Sequence, residues 1–210
     1  PSTTGICPQI IFAFTLTLPN FSKSFANFLY IVYYNRDEEI SLQKMRWLLM
    51  KPIKKTNAAR ILDDLKINYK LMEYPVDEEH LDAVHVAKEV GMPPEQVFKT
   101  LCVRGDRTGV IFAVIPGNGE LDLKALARVS NNKSCEMVHL KEVLPLTGYI
   151  RGGCSPLGAK KDYPVFMDET MILWDEIAIS AGQRGMQIIA NPEDLARATH
   201  AVVAALTFEK

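Results

Sequence analysis

The chain has few of the residues that hold metal ions or form disulfide bonds. Its 210 residues include 4 cysteines, which are widely spaced and form no CxxC pair: Cys7, Cys102, Cys135 and Cys154. This pattern is typical of reduced thiols, so we expect no disulfides and a cytoplasmic location. The 4 histidines form no HExxH motif or other paired metal spacing. We therefore expect no metal site and no cofactor.

An excess of one charge is also lacking, and so are long apolar runs. The formal net charge is −1, so the molecule as a whole does not attract a polyanion, and any RNA contact must be local or assisted by a protein partner. Apolar runs at residues 10–18 and 28–34 are shorter than the roughly 18 to 20 residues that span a membrane. We expect neither DNA nor a membrane as a partner.

The first 49 residues differ from the rest of the sequence. They begin with Pro1 rather than methionine, and they lack the basic start and the cleavage site of a signal peptide. We interpret residues 1–49 as an upstream extension, poorly ordered or artefactual, and residues 50–210 as the functional domain. A membrane-associated extension is the weaker alternative.

Helix and strand patterns in residues 50–210 predict an α+β fold. Two apolar runs at 97–103 and 110–115 flank the turn sequence GDRTG, which predicts a β-hairpin. Helices are predicted at 57–65, 81–90, 121–129, 140–144 and from Pro192 onward, and further strands at 69–74, 134–138, 165–167, 176–180, 186–190 and 201–206. Strands outnumber helices without strict alternation, which favours a mixed, barrel-like central β-sheet with surrounding helices over a doubly wound fold.

Lys99 is the most informative single residue. Alternation along the predicted strand places it on the same face as Val97 and Leu101, and the opposite face is apolar as well. An unpaired ammonium in such a strand would cost several kcal/mol. Lys99 therefore either has a partner or a cavity that binds an anionic group, or it lies at a strand edge where its head reaches water.

Two glycine-containing loops are further candidates. The loop at 148–158 could hold an oxyanion or a phosphate through its backbone N–H groups, although a tight loop is the commoner meaning of such a stretch. Residues 180–185 read as a hairpin loop, so Ser180 and Gly182 would be functional only if this loop faces the same cavity as Lys99. Lys160 and Lys161 are either a solvated pair or contacts for an RNA phosphate.

Generic catalytic motifs are missing from the sequence. It contains no GxSxG, P-loop or GxGxxG pattern, and spacing supports no set of serine, histidine and aspartate. From the residues alone, the domain is an α+β protein with an unusual lysine and a glycine-rich loop.

Several segments together resemble the YbaK/EbsC family of aminoacyl-tRNA deacylases. They are FKTL at 98–101, GYIRGGCSPLGAKK at 148–161 and SAGQRG at 180–185, with shorter matches over essentially all of residues 50–207. The resemblance implies an α+β fold shared with the inserted editing domain of bacterial prolyl-tRNA synthetases. It also implies hydrolysis of the ester that joins a wrong amino acid to the tRNA 3′ end.

The resemblance implies roles for individual residues. Lys99 would anchor a phosphate or the amino-acid end of the substrate, and the amides around Gly152 and Gly153 would polarise the ester carbonyl without a side-chain nucleophile. The residues expected to line the substrate pocket are Tyr74, Thr100, Ser155, Ser180 and Gly182. Lys160 and Lys161 are the expected tRNA contacts.

The function expected from this resemblance is trans-editing of cysteine mischarged onto proline tRNA, and whether Cys-tRNA(Cys) is attacked too stays open. The substrate's own thiol would attack its ester and release a cyclic thioester. The alternatives are an Ala-tRNA(Pro) deacylase and a noncatalytic module that binds tRNA or a synthetase. Near-neutral charge predicts prolyl-tRNA synthetase as a partner, beside the acceptor end of tRNA(Pro).

The chain also departs from the family pattern. Gln183 and Gln187 stand where many relatives have a lysine and an acidic residue, and Asn131 and Asn132 replace the usual glycine at a helix end. These differences bear on contacts at the rim of the site and on tRNA affinity more than on the chemistry.

Overall fold

The computed structural model describes residues 12–14, 30–32, 54–79 and 81–208, and the chain divides into two units, Pro1–Pro52 and Ile53–Lys210. In the first unit, strand β1 (Phe12–Phe14) pairs antiparallel with β2 (Tyr30–Val32). The rest of the predicted extension, residues 1–49, lies outside the described residues, and its interpretation as an upstream addition stays a prediction.

Five α-helices lie in the described part of the second unit. They are α1 (Asn57–Asp64), α2 (Ala83–Val90), α3 (Leu123–Val129), α4 (Leu140–Thr147) and α5 (Pro192–Thr199), with a 3₁₀ helix at Glu169–Leu173. All five were predicted, and the 3₁₀ helix was not. Helix α4 extends past its predicted end at Leu144 because Gly148, in the left-handed conformation with φ 83°, ends it instead.

Polar caps explain where the helices begin. Thr56 accepts a hydrogen bond from the N–H of Ala59 at the start of α1, and Asn191 precedes α5, whose first residue is Pro192. Helix α2 begins after Asp82 and ends at Gly91, which has φ 69°. These caps fix the ends of α2 and thereby the position of Asp82 beside the site described below.

Eight strands of the second unit form two sheets. The strands are β3 (Tyr69–Glu73), β4 (Phe98–Gly105), β5 (Gly109–Pro116), β6 (Cys135–Met137), β7 (Val165–Asp168), β8 (Ile177–Ser180), β9 (Met186–Ala190) and β10 (Val202–Ala204). One sheet has the order β10-β7-β5-β4-β6 and the other β3-β9-β8. The β5–β7 and β7–β10 pairs are parallel and the other pairs are antiparallel.

A parallel bridge between Val97 and Ala178 links the two sheets. At this bridge the N–H of Ala178 donates to the C=O of Gln96 at 3.0 Å. The predicted α+β class with a mixed strand arrangement and surrounding helices is confirmed, and the barrel-like sheet consists of two sheets joined at this seam.

Strand β5 is the centre of the hydrophobic core. Phe112 and Val114 pack on one face of the strand, and Ile111, Ala113 and Ile115 pack in a separate cluster on the other. All five are fully buried. Because β5 pairs with the whole length of β4, it gives β4 a rigid support on one side.

Candidate functional site

A cavity of about 370 Å³ opens beside β4. Its walls come from β4, the start of α2, the segment from β6 to α4, the loop after α4, and the ends of β8 and β9. The lining residues are Leu81, Asp82, Ala83, Val86, Val97, Phe98, Lys99, Thr100, Leu101, Cys102, Gly117, Met137, Val138, Leu140, Val143, Arg151, Gly152, Cys154, Ser180 and Gln187.

The position of the cavity follows from a gap in strand pairing. Residues 97–102 all line it, although consecutive side chains of a strand point to opposite faces. The cavity must therefore run past the edge of β4 rather than along one face. This edge lies between the bridge to β8 at Val97 and the pairing with β6 that begins at Val103.

Lys99 is half-buried, and its ammonium is held by backbone carbonyls. The Nζ atom donates to the C=O of Gly117 at 2.9 Å and to the C=O of Gly119 at 2.8 Å. These carbonyls belong to the turn that follows β5, so the turn fixes the side chain in place. Lys99 thus presents a fixed positive charge in the cavity wall, which is what recognition of an anionic group requires.

The loop after α4 is shaped by Tyr149 and two glycines. The Tyr149 hydroxyl donates to the C=O of Leu157 across the loop, and burial raises the pKa of Tyr149 to about 12. Gly152 has φ 81°, a conformation that favours glycine, and it lines the cavity. The N–H of Gly153 donates to the C=O of Ile150 at 3.0 Å, so this amide is already engaged inside the loop.

A second loop, residues 180–185, packs against the first. A Cβ atom at Gly153 would lie 3.1 Å from main-chain atoms of Gln183 and 3.2 Å from the N of Arg184. The Nε of Arg184 donates to the C=O of Arg151 at 2.8 Å. Together these contacts fix the Arg151–Gly152 segment at the cavity.

The predicted site residues divide into two groups by location. Four of them line the cavity: Lys99, Thr100, Gly152 and Ser180. The remaining ones lie outside this lining: Tyr74, Gly153, Ser155, Gly182, Lys160 and Lys161. The structure gives the locations of these residues, and their roles stay predictions.

Tyr74 and Ser155 illustrate the second group. Tyr74 lines a small neighbouring depression that it shares with Gly152, and its hydroxyl lies 3.5 Å from Nε2 of Gln187. Ser155 is fully buried, and its Oγ accepts from the N–H of Leu157 at 3.3 Å. Ser155 therefore shapes the glycine-rich loop from within.

The remaining residues of this group support loops or lie at the surface. Gly182, with φ 95°, packs against the ring of Tyr149, and its N–H donates to Oγ of Ser180 at 3.3 Å. Lys160 and Lys161 are exposed, and the stem of Lys160 covers Gly148. An exposed lysine pair beside the loop is accessible to a polyanion.

Two thiols in the cavity wall are kept protonated. Burial raises the pKa of Cys102 to about 11 and that of Cys154 to about 12. Since the thiolate is the nucleophilic form of cysteine, neither side chain is activated at neutral pH. The pKa of the Asp82 carboxyl is lowered, chiefly because the N–H of His85 donates to it at 2.9 Å, so this acid is committed to capping α2.

Gln187, which the sequence connected only with contacts at the rim of the site, lines the cavity. It is 4% exposed, and its Oε1 has no hydrogen-bond partner among the residues that the structure describes. The Oγ1 of Thr100 also has no hydrogen-bond partner among these residues. A polar residue within the otherwise apolar strand β9 was the available signal, because buried polar groups are nearly always hydrogen-bonded.

In the described ranges, no group of three or more histidine, cysteine, aspartate or glutamate side chains is placed to hold a metal ion. Among the same residues, no helix has both the length and the apolar character needed to cross a membrane.

Known proteins share both the sequence and the fold. Residues 77–198 match the family described as the aminoacyl-tRNA editing domain. The chain is 47% identical over 157 residues to EbsC of Enterococcus faecalis, whose name describes a candidate Cys-tRNA(Pro)/Cys-tRNA(Cys) deacylase; the match covers 75% of this chain and 96% of EbsC. These matches cover the segment that forms the cavity.

Two further comparisons concern prolyl-tRNA synthetases. The crystal structure of a candidate trans-editing enzyme for prolyl-tRNA synthetase superposes with a TM-score of 0.63 at 27% identity, covering 73% of this chain and 98% of that one. A segment of 76 residues is 32% identical to the proline–tRNA ligase of Thermosipho africanus, covering 36% of this chain and 13% of the ligase.

Proposed function

This chain belongs to the aminoacyl-tRNA editing domain family, and we propose that it is a trans-editing deacylase that removes cysteine mischarged onto proline tRNA. Such an enzyme works beside the translation machinery in the cytoplasm. The name of its Enterococcus faecalis relative supports this substrate. Cys-tRNA(Cys), the second substrate in that name, is a further candidate.

The observation that carries the proposal is a cavity whose wall contains no activated nucleophile. The Cys102 and Cys154 thiols stay protonated because burial raises their pKa to about 11 and about 12. Asp82 caps a helix, and the described residues that line the cavity include no histidine. In this proposal the attacking group comes from the substrate itself.

A cysteinyl ester carries its own nucleophile. The free thiol has a pKa of about 8.5, so a fraction is ionised at neutral pH. Its sulfur attacks the ester carbonyl, an S–C bond forms, and the C–O bond to the ribose breaks. The ribose oxygen takes up the proton that the thiol gave up, so the products are a cyclic thioester and uncharged tRNA.

Lys99 and the loop amides supply binding and polarisation in this proposal. The fixed ammonium of Lys99 anchors a phosphate or the amino-acid end of the substrate. Gly152 lines the cavity, and in this proposal its N–H polarises the ester carbonyl. The N–H of Gly153 holds the loop in shape by donating to the C=O of Ile150. The pocket is completed by Thr100 and Ser180.

Recognition of the tRNA body requires help from a partner. The formal net charge of −1 gives little general attraction for RNA. The exposed Lys160 and Lys161 offer a local contact only. We therefore assign prolyl-tRNA synthetase as the partner that presents the acceptor end of tRNA(Pro).

The test is release of amino acid from Cys-tRNA(Pro), Ala-tRNA(Pro) and Cys-tRNA(Cys) by the full chain, with and without prolyl-tRNA synthetase. Rapid loss of cysteine from tRNA(Pro), faster with the synthetase, is expected. Preferential loss of alanine would reassign the substrate. No deacylation of any of the three would leave a noncatalytic binding module as the remaining function.

A further inference from the structure

Among the residues that the structure describes, no strand pairs with the middle of the β4 edge that faces the cavity. On the opposite edge, β5 pairs with β4 over its whole length. On the cavity edge, β6 pairs with residues 103–105, and the bridge between Val97 and Ala178 of β8 is the next strand contact within the described part of the chain. Residues 98–101 lie between these two contacts, and all of them line the cavity.

Two backbone hydrogen bonds show which main-chain groups point towards this gap. The C=O of Cys102 accepts from the N–H of Val138 at 3.0 Å, on the β6 side. The C=O of Gln96 accepts from the N–H of Ala178 at 3.0 Å, on the β8 side. Main-chain groups alternate between the two edges of a strand, so Thr100, halfway along, directs its N–H and C=O to the same edge.

The N–H and C=O of Thr100 therefore point into the gap, where no strand of the described chain pairs with them. Among the described residues, no backbone hydrogen bond outside the regular strand pairs involves its N–H or its C=O, and its register partner on β5, Val114, lies on the opposite side. An edge of this kind normally pairs with another extended chain.

Two side-chain atoms of cavity-lining residues are also without partners in the described chain. They are Oγ1 of Thr100 and Oε1 of Gln187, both buried and both in residues that line the cavity. Gln187 is 4% exposed, so bulk water does not readily satisfy it. Buried polar atoms are nearly always paired, which indicates that a polar ligand completes this region.

We propose that the aminoacyl group of the substrate docks on this open edge as a single strand residue. Its α-ammonium donates to the C=O of Thr100, and its ester carbonyl accepts from the N–H of Thr100. An extended aminoacyl group carries its amino and carbonyl groups as one residue of a strand does, so it can form both bonds of an antiparallel pair. The inference rests on the proposed deacylase function and adds a main-chain donor for the carbonyl beside Gly152.

This docking also assigns a position to the amino-acid side chain. Residues opposite each other in an antiparallel pair place their side chains on the same face of the sheet. The substrate thiol then lies on the face of the Thr100 side chain, whose Oγ1 lacks a partner. Thr100 thereby distinguishes a cysteinyl group, which can bond to its hydroxyl, from an alanyl group, which cannot.

The first experiment measures backbone amide exchange by NMR in the full chain. The probe is 3′-cysteinylamino-3′-deoxyadenosine, an amide analogue that cannot be deacylated, and a version lacking the α-amino group is compared with it. We expect the Thr100 amide to exchange at least about 10-fold more slowly when the probe is bound. The version without the α-amino group should bind at least about 10-fold less tightly, because it lacks a hydrogen bond from a charged group. The backbone amide of Leu101, a residue that pairs with Ala113 on β5, is the internal control.

Deacylation assays separate this inference from the proposed function. Thr100→Val should slow removal of cysteine about 10-fold, while Thr100→Ser keeps the hydroxyl and restores the cysteine rate. If Cys-tRNA(Pro) is deacylated but the Thr100 amide does not respond to the bound probe, or the probe fails to bind, edge docking is overturned and the deacylase function stands. If the wild-type chain deacylates no tRNA, the deacylase function itself is overturned, and the inference that rests on it falls too.

Discussion

The ammonium of Lys99 lies 2.8 Å from the carbonyl oxygen of Gly119, and this contact links the cavity wall to the turn that follows β5. A second carbonyl, from Gly117, accepts from the same ammonium at 2.9 Å. Lys99 thus fixes the turn as well as presenting a charge to the cavity. Stability and activity are therefore coupled at this position.

Replacing Lys99 by methionine should reduce both properties. Loss of two charge-assisted hydrogen bonds leaves two carbonyls unpaired, and we expect the free energy of unfolding to fall by about 2 kcal/mol. Deacylation should fall by about 100-fold, because the anchoring charge is lost. Urea denaturation and tRNA deacylation measure the two effects, and Lys124→Met, at an exposed position on α3, is the matched control. Full activity in Lys99→Met would refute the anchoring role.

The cavity thiols should be dispensable for catalysis. Because Cys102 and Cys154 are protonated at neutral pH, the variants Cys102→Ala and Cys154→Ala should keep the deacylation rate within about 3-fold. Loss of a true covalent nucleophile lowers turnover by a factor on the order of 10³ or more. A drop of that size in either variant, with the fold intact by circular dichroism, would show that a protein thiol takes part.

The same thiols should make stability fall in alkaline solution. An unfolded chain loses these protons near the ordinary thiol pKa of 9.0, whereas the folded chain keeps them towards pH 11 and above. The folded state then binds more protons than the unfolded state, so the free energy of unfolding falls as pH rises from about 9. The limit is about 1.4 kcal/mol per pH unit for each thiol.

Urea denaturation of the wild type and of a double variant, Cys102→Ala with Cys154→Ala, checks this pH dependence between pH 7 and 10.5. The double variant should have a flatter profile above pH 9, and below pH 8 the two profiles should run parallel. Equal slopes at high pH would mean that other groups govern the alkaline loss of stability.

Gly153→Ala should disturb the site although Gly153 does not line the cavity. The added Cβ would lie 3.1 Å from main-chain atoms of Gln183, so the two loops must move apart. We expect a loss of about 1 to 2 kcal/mol in the free energy of unfolding and about a 10-fold lower deacylation rate. Gly91→Ala is the control, because Gly91 has φ 69° but open space around it; it should cost stability and leave the rate unchanged.

Much of the fold was predictable because its signals are local. The caps at Thr56 and Asn191 and the turn between β4 and β5 depend on residues within a few positions of each other, and the corresponding elements were predicted. The end of α4 was misplaced because Pro145 reads as a helix breaker, yet the helix continues to Gly148.

The cavity itself was not predictable, since it depends on contacts distant in sequence. Alternation identified Lys99 as unusual but gave no sign of its partners, the Gly117 and Gly119 carbonyls. The gap beside β4 exists because β8 meets that part of the chain only at the Val97–Ala178 bridge. Pairing between separate sheets does not change the alternation of apolar and polar residues in either strand, so the sequence gives no sign of it.

The unpaired stretch of β4 also has a consequence for the behaviour of the protein in concentrated solution. Open strand edges invite pairing with other chains and are a common origin of aggregation. Here the edge lines a cavity together with the Arg151–Gly152 segment, which Arg184 holds in place. Loosening that segment would make the unpaired, aggregation-prone edge more accessible to other chains. Mutations at Arg184 should therefore first reduce the solubility of the protein.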